Sequence, residues 1–210
     1  MPKLKISYNA PVVLTFSLIA VAVHVITDWW WPEFTVRYFA VRPWLNEFVD
    51  YFTLVSHIFG HGNWAHLFGN MTLILLLGPI LEERHGSGSL MAMIGITALV
   101  TGLINVIFLE TFLLGASGIV FMFILLASTA NIRHGEIPLT FLLVTVLFLG
   151  REVVDAFRAD QISQMAHLVG GAVGAVFGFL SAGLDAHGEG KKSASSGQDS
   201  ALPGVRKPPT

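Results

Sequence analysis

The sequence predicts an all-α polytopic membrane protein with six transmembrane helices and a membrane-embedded loop between the first two. The first observation is composition, because 53% of the 210 residues are hydrophobic and only 12% are charged. A soluble domain carries about a quarter of its residues as charges. The second is the mean hydropathy of +0.67. The third is a series of charge-free apolar runs that approach the ~20 residues a bilayer core requires.

The first predicted span covers residues 11–31, after a short basic N-terminus. Three consecutive tryptophans at its far end are typical of an aromatic belt at the membrane interface. Because the run is long and lacks a small-residue cleavage site, we interpret it as a retained span and not as a signal peptide. We expect His24, inside this span, to bond a neighbouring backbone group or interfacial water.

Residues 32–63 form the longest segment between two spans and mix aromatic with charged side chains. This composition is typical of a folded amphipathic element in the membrane interface. His57 and His61, four residues apart, could bind zinc on one helix face. No glutamate follows His57 as in the metalloprotease pattern, and Gly60 and Gly62 disfavour a regular helix. We therefore expect no metal ion, and we assign His61 to a hydrogen-bond network near the outer surface.

Five further apolar runs follow. The second, third and fourth spans are predicted at 64–81, 90–109 and 113–132, the short fifth at 137–150 and the sixth at 165–184. Small residues in the sixth favour close helix packing. After residue 184 glycine, serine, lysine and proline dominate, which is typical of disorder. The predicted organisation is a membrane domain at 1–184 and a disordered tail at 185–210.

Basic residues predict the orientation of the spans. With the N-terminus in the cytoplasm, eight of the 12 lysines and arginines lie on the cytoplasmic side and the other four outside. This bias predicts a multi-pass protein of the cell membrane with both termini cytoplasmic. The net charge of −2 says nothing about partners, and no feature indicates nucleic-acid binding. The absence of cysteine excludes disulfides, zinc–thiolate sites and thiol nucleophiles.

Spans two, four and six run in the same direction, and each carries a reactive polar residue near its outer start. His66, Ser117 and His167 lie about two to five residues into these helices, so a rise of ~1.5 Å per residue places all three at one depth. Asn70 is one turn deeper than His66 on the same face. Ser117 is the candidate nucleophile and His167 the candidate base. His66 and Asn70, with the backbone N–H of Ser117, are the candidate oxyanion hole.

The run Gly-Ala-Ser-Gly at 115–118 opens the fourth span. Taken alone, such spacing of small residues serves helix packing more often than catalysis. At a helix N-terminus, however, unpaired N–H groups and the positive end of the dipole also suit a developing oxyanion. No acidic residue lies in spans two to six, so a Ser–His dyad is predicted. Gly170 and Gly174 are expected to let span six press on span four, holding His167 near Ser117.

With these motifs in order, the sequence resembles the rhomboid family of intramembrane serine proteases from span one through span six. The matching pieces are His66-x-x-x-Asn70, Gly115-x-Ser117-Gly118, Ala166-His167-x-x-Gly170-x-x-x-Gly174 and Glu82-x-Arg84-x-Gly86-Ser87-Gly88. The resemblance implies the roles given above for the serine, the two histidines and the asparagine. It implies that residues 32–63 are the membrane-embedded loop and that the fifth helix is a mobile gate. It also implies single-span membrane proteins as substrates, a lipid bilayer as surroundings and no cofactor.

Two departures from the family pattern stand out. Phe121 occupies a position where members often have a tyrosine that stacks on the catalytic histidine, and since the ring face is kept we expect activity to survive. The Trp-Arg pair often seen in the first loop is missing, although Arg37 and Arg42 are available. We expect Glu82 and Arg84 to hold the inner helix ends together.

The alternative function is a catalytically inactive rhomboid-like membrane-protein binder, or a small multi-pass transporter. The complete set of serine, two histidines and asparagine favours the protease over an inactive binder. Against a transporter, the sequence shows no repeated halves and no paired broken helices at mid-membrane. Asn105, in span three, either bonds across helices or acts near the site.

Overall fold

The computed structural model describes residues 8–109, 112–129, 139, 143, 146–147, 168–178 and 180. Within these residues every regular element is a helix, and the β pairing is an isolated bridge. The helices are α1 (Pro11–Trp29), α2 (Phe34–Tyr38), α3 (Phe48–Ser56), α4 (Trp64–His85), α5 (Ser87–Phe108), α6 (Ser117–Thr129) and α7 (Leu168–Gly178). By length and composition α1, α4 and α5 can each cross a membrane, and three further apolar helices are shorter. The chain is therefore an all-helical polytopic membrane protein, as predicted.

The segment between α1 and α4 is folded, as its composition predicts. It contains α2, α3 and a 3₁₀ turn at His57–Phe59. Glu47 and Asp50 form a capping box at the start of α3, and the fully buried Asp50 carboxylate lies 3.2 Å from Nη1 of Arg42. Arg42 therefore holds this segment together by an ion pair. That the segment is embedded in the membrane stays a prediction.

The second and third spans were predicted to end at residue 81 and to begin at residue 90, whereas α4 continues to His85 and α5 begins at Ser87. Only Gly86, with a φ of +79°, separates the two helices. The reason lies in Glu82, whose carboxylate accepts hydrogen bonds inside the protein. A charged residue that is satisfied in this way does not end a helix.

Glu82 joins three helices at one end of the bundle. Its carboxylate oxygens accept the N–H groups of Val12 at 3.0 Å and Val13 at 3.1 Å. These donors belong to the first turn of α1, where no intrahelical partner exists. The carboxylate also accepts the hydroxyl of Ser87 at 2.7 Å, at the start of α5. The expectation that Glu82 holds helix ends together is confirmed, whereas Arg84 is exposed.

α6, which lies in the predicted fourth span, begins at Ser117, four residues after the predicted start at Leu113. The backbone of Leu113 pairs with that of Val41, with N–H to O distances of 2.8 and 3.1 Å. Gly115 then adopts a φ of +120°, which a right-handed helix does not allow. The bridge and this glycine together exclude residues 113–115 from α6.

α6 is the central helix of the described bundle. Seven apolar side chains cover its whole circumference and are all buried: Ile119, Val120, Phe121, Met122, Phe123, Ile124 and Leu126. A helix that is apolar on all sides belongs in the interior of a protein or a membrane. α1, α4 and α6 meet at Gly78, where a Cβ would lie 2.6 Å from Val13 and 3.1 Å from Phe123. The core lies between these three helices and α5, which contributes the buried Leu90, Ile94 and Ala98.

The remaining predicted elements are covered only in part. α7 falls inside the predicted sixth span at 165–184. The predicted fifth span with its gate lies outside the described residues apart from four helical positions. The N-terminal residues 1–7 and the predicted tail at 185–210 also lie outside them. The division at residue 184 and the total of six spans stay predictions.

Candidate active site

Ser117 is the first residue of α6 and is half-buried. The sequence analysis placed it a few residues inside its helix. At its observed position, the N–H of Ser117 lies in the first turn of α6, where no intrahelical partner exists. The backbone that precedes Ser117 is held at two points. Leu113 pairs with Val41, and the N–H of Gly115 donates to the carbonyl of His57 at 3.0 Å. Both partners belong to the segment between α1 and α4, which therefore fixes the start of α6.

His66 and Asn70 project from consecutive turns of α4 towards the backbone before Ser117. A Cβ built on Gly115 would lie 2.7 Å from Cε1 and 2.8 Å from Nε2 of His66, and 3.9 Å from Nδ2 of Asn70. Asn70 is only 7% exposed, and its Nδ2 has no hydrogen-bond partner among the residues that the structure describes. An imidazole and a buried amide donor thus face the same glycine.

The start of α4 is held by a cap that sequence reasoning missed. The Asn63 side chain accepts the N–H of His66 at 2.8 Å. An asparagine directly before an apolar helical run is a recognised N-cap signal, and it was available in the sequence. The cap fixes the helical turn that carries His66.

α6 and α7 touch backbone to backbone through glycines. A Cβ on Gly170 would overlap the carbonyl oxygen of Gly118, and one on Gly174 would lie 2.5 Å from the carbonyl oxygen of Met122. Small residues one turn apart allow such close approach. This is the packing expected for Gly170 and Gly174.

His167, the predicted base, lies outside the described residues. It directly precedes α7 in the sequence. Phe121, one turn after Ser117 on α6, is buried, and a Cβ on Gly171 would lie 3.9 Å from its Cδ1. The Phe121 ring is therefore at the interface between α6 and α7.

Behind His66 lies a buried histidine pair that the sequence did not reveal. His24 of α1 donates its Nδ1–H to the carbonyl of His61 at 3.2 Å. The expectation that His24 bonds a backbone group is thus confirmed, but its partner is 37 residues away. The His61 ring packs edge to face on the His66 ring, with centroids 5.1 Å apart and planes at 68°.

His57 and His61 are neutral at pH 7. Burial lowers the pKa of His57 to about 4. Burial, and then the neighbouring His66, lower the pKa of His61 to about 4 as well. His57 donates its Nδ1–H to the carbonyl of Thr53 at 3.2 Å, and its Nε2 lies 3.3 Å from the Thr101 hydroxyl oxygen. Both ring nitrogens of His57 therefore bond protein atoms.

No group of three or more His, Asp or Glu side chains with metal-site geometry occurs in the described part of the chain. The chemistry that the described groups support is hydrogen-bond donation to an anion beside Ser117. A carbonyl oxygen that becomes negatively charged during acyl transfer is such an anion.

Comparison with known proteins gives the family. The family model of the Rhomboid domain matches residues 49–183. "Rhomboid protease GlpG" of Serratia proteamaculans (strain 568) is 27% identical over 163 residues, which is 76% of this chain and 55% of that protein. "Rhomboid-related protein 1" of Caenorhabditis elegans is 32% identical over 138 residues, 60% of this chain and 38% of that protein.

A third relative is "Rhomboid-like protein 11, chloroplastic" of Arabidopsis thaliana, 24% identical over 151 residues, which is 64% of this chain and 54% of that protein. The chain spans about half the length, or less, of these curated relatives. The Rhomboid match contains α4 with His66 and Asn70, the start of α6 with Ser117, and α7. Because it covers more than half of the chain, this protein belongs to the rhomboid family.

Proposed function

We propose that this protein is an intramembrane serine endopeptidase that cleaves transmembrane segments of other membrane proteins by a Ser117–His167 dyad. The observation that carries the proposal is the convergence of His66 and Asn70 on Gly115, two residues before a serine at a helix N-terminus. The relative from Serratia, named a rhomboid protease, supports the same reaction. The family alone does not decide activity, so the convergence of donors is the specific argument.

In the first half of the proposed reaction, the Ser117 hydroxyl oxygen attacks the carbonyl carbon of the scissile peptide bond. Its proton passes to His167, the general base. The carbonyl oxygen becomes an oxyanion that the Ser117 N–H, His66 and Asn70 stabilise. Loss of one such donor costs about 10²–10³ in kcat.

In the second half, the tetrahedral intermediate collapses to an acyl-enzyme. The amine leaves with the proton that His167 carries. Water then gives its proton to His167 and attacks the ester, which releases the acid and restores the Ser117 hydroxyl. The oxyanion hole serves both halves.

The contact between α6 and α7 supports His167 as the base. Gly170 touches the backbone of Gly118, the residue after Ser117. His167 precedes Gly170 by three residues, a little less than the 3.6 residues of one helical turn. A helical turn leading into α7 would bring the imidazole to the level of the serine.

The proposed substrates are single-span membrane proteins whose helix unwinds near the outer face. They would enter laterally past the fifth helix, while water reaches Ser117 from the outer side. The proposed location is the cell membrane, with both termini cytoplasmic. No cofactor or nucleic acid takes part in this reaction.

The test is labelling of the detergent-solubilised protein with a fluorescent fluorophosphonate. Wild type is expected to be labelled, and both Ser117→Ala and His167→Ala are expected to abolish labelling. Ser128→Ala is the matched control, since this serine lies on the same helix and donates to the Ile124 carbonyl at 2.7 Å. Its labelling should equal that of wild type.

Two results contradict the proposal. Labelling that persists in Ser117→Ala would mean that another residue is the nucleophile. A folded wild-type protein that is never labelled would favour the alternative, a catalytically inactive membrane-protein binder or a transporter. Cleavage of a reporter with one transmembrane segment, followed by mass spectrometry of the products, then locates the cut.

A further inference from the structure

We propose that His24 and His61 act together as a positioning unit for His66, so that the oxyanion hole depends on the first helix of the protein. This inference rests on the proposed function and names two residues for it beyond the dyad and the oxyanion donors. His24 lies outside residues 49–183, which the family model matches. The observation behind the inference is a continuous series of contacts from α1 to the His66 ring.

The first step joins α1 to the backbone before α4. His24, only 4% exposed, donates Nδ1–H to the carbonyl of His61 at 3.2 Å. Its ring also meets the Trp64 ring edge to face, with centroids 4.5 Å apart. Trp64 in turn donates its Nε1–H to Asp28 of α1 at 3.2 Å. Both ends of the short stretch from His61 to Trp64 are therefore held by α1.

The second step joins His61 to His66. The His61 ring is oriented by its own Nδ1–H, which donates to the Phe59 carbonyl at 3.2 Å. Its centroid lies 5.1 Å from that of His66. On another side the His66 ring meets the backbone of Gly115. A displacement of His61 would therefore change the position of the His66 ring relative to Gly115.

The third step concerns why imidazoles occupy these positions. The Nε2 atoms of His24 and His61 are buried and have no hydrogen-bond partner among the described residues. Burying a polar atom without a partner costs free energy, and a phenylalanine would fill similar space without this cost. What phenylalanine lacks at position 24 is the directed N–H that fixes the His61 carbonyl. The imidazole therefore contributes orientation more than burial.

The experiment compares His24→Phe with His24→Asn in the full-length protein. Phenylalanine keeps an aromatic edge for Trp64 and loses the donor, whereas asparagine restores an N–H near the position of Nδ1. Active sites are counted by fluorophosphonate titration, and kcat per labelled site and KM are measured on a single-span reporter. Ser17→Ala is the matched control, because this buried α1 hydroxyl donates only within its helix, to Val13.

We expect His24→Phe to lower kcat per labelled site about tenfold at unchanged KM, since sub-ångström to 1 Å displacements of catalytic groups cost up to about 100-fold. His24→Asn should recover most of the loss, and Ser17→Ala should match wild type. A role in packing alone would reduce the number of labelled sites and the thermal midpoint but leave kcat per site unchanged. That outcome would overturn the inference.

A double variant tests whether His24 acts through His66. The fluorophosphonate labelling rate should fall in His66→Ala and fall no further when His24→Phe is added, because residues that act through one another are not additive. If the fold-losses in labelling rate of the two single variants multiply in the double variant, the proposed positioning unit is contradicted. If His24→Phe does not fold, His61→Ala and His61→Phe replace it. The phenylalanine, which keeps a ring against His66, should retain more activity than the alanine, and equal losses would overturn the inference.

The controls separate this inference from the proposed function. A folded wild-type protein without labelling or cleavage would overturn the serine protease itself. An active wild type with a fully active His24→Phe variant would overturn only the positioning unit.

Discussion

Gly115 occupies a position in the candidate site where only glycine fits. Its φ of +120° lies in a region that side-chain-bearing residues rarely adopt. The space beside it is already filled by the His66 ring and, slightly further away, by the Asn70 amide. Both the backbone conformation and the packing therefore require glycine at this position.

Gly115→Ala should lower the fluorophosphonate labelling rate about 100-fold. The added methyl group would displace the His66 ring, and a displacement of about 1 Å in a catalytic group costs about 100-fold in rate. Gly69→Ala is the matched control, since Gly69 lies on the same helix as His66 and, outside its own helical turn, no described residue comes within 4 Å of an added Cβ. A wild-type labelling rate in Gly115→Ala would show that His66 does not need its observed position.

The sequence could predict that His66 and Asn70 come near the start of α6, but not everything that holds them there. His66, Asn70 and Ser117 follow from their depths in the predicted spans, because helical rise is fixed. The pairing of Leu113 with Val41 does not follow, since 72 residues separate them and no local pattern marks a two-residue bridge. The hydrogen bond from His24 to His61 could not be predicted either. Its acceptor is a backbone carbonyl, which every residue has, so no residue type in the sequence marks it.

At the scale of helices, Glu82 explains why α4 ends later, and α5 begins earlier, than the sequence predicted. Hydropathy places a boundary at the first charged residues, whereas the carboxylate finds three donors from two other elements. An ionised side chain with several hydrogen bonds can remain in a helix that hydropathy would end. The junction of α1, α4 and α5 therefore depends on one carboxylate.

Glu82→Ala should lower the free energy of unfolding by about 2 kcal/mol, because it leaves buried donors of α1 without an acceptor. The thermal midpoint in detergent measures this loss. Arg84→Ala, at an exposed position two residues later, should leave the midpoint unchanged. Since Glu82 lies more than four helical turns after His66 on α4, kcat per labelled site should also be unchanged. A selective loss of kcat would contradict a purely structural role.

For the molecule as a whole, buried neutral histidines make stability depend on pH. Burial holds the pKa values of His57 and His61 at about 4, against an ordinary value of 6.5. As the pH falls from about 6.5 to about 4, the unfolded chain takes up protons at these rings and the folded protein does not. The free energy of unfolding therefore decreases as the pH falls through this window. Above pH 6.5 both rings are neutral in the folded and the unfolded states, and the protein has its full stability with respect to these two groups.

The thermal midpoint should accordingly fall between pH 7.5 and pH 4.5, and it should fall less steeply in His57→Gln, which cannot titrate at this position. Comparing the two slopes removes the contribution of carboxylates, which is common to both proteins. Parallel slopes would mean that the His57 ring takes up its proton equally well in the folded and the unfolded states.

The pairing of Val41 with Leu113 has a consequence for the extent of the working unit. The family match begins at residue 49, yet the chain that leads to Ser117 is paired to residue 41, and the His61 carbonyl is held from residue 24. A fragment cut at the family boundary would keep every proposed catalytic side chain and lose two of the contacts that position them. The smallest piece of this chain expected to form the proposed active site is therefore larger than the domain by which its family is recognised.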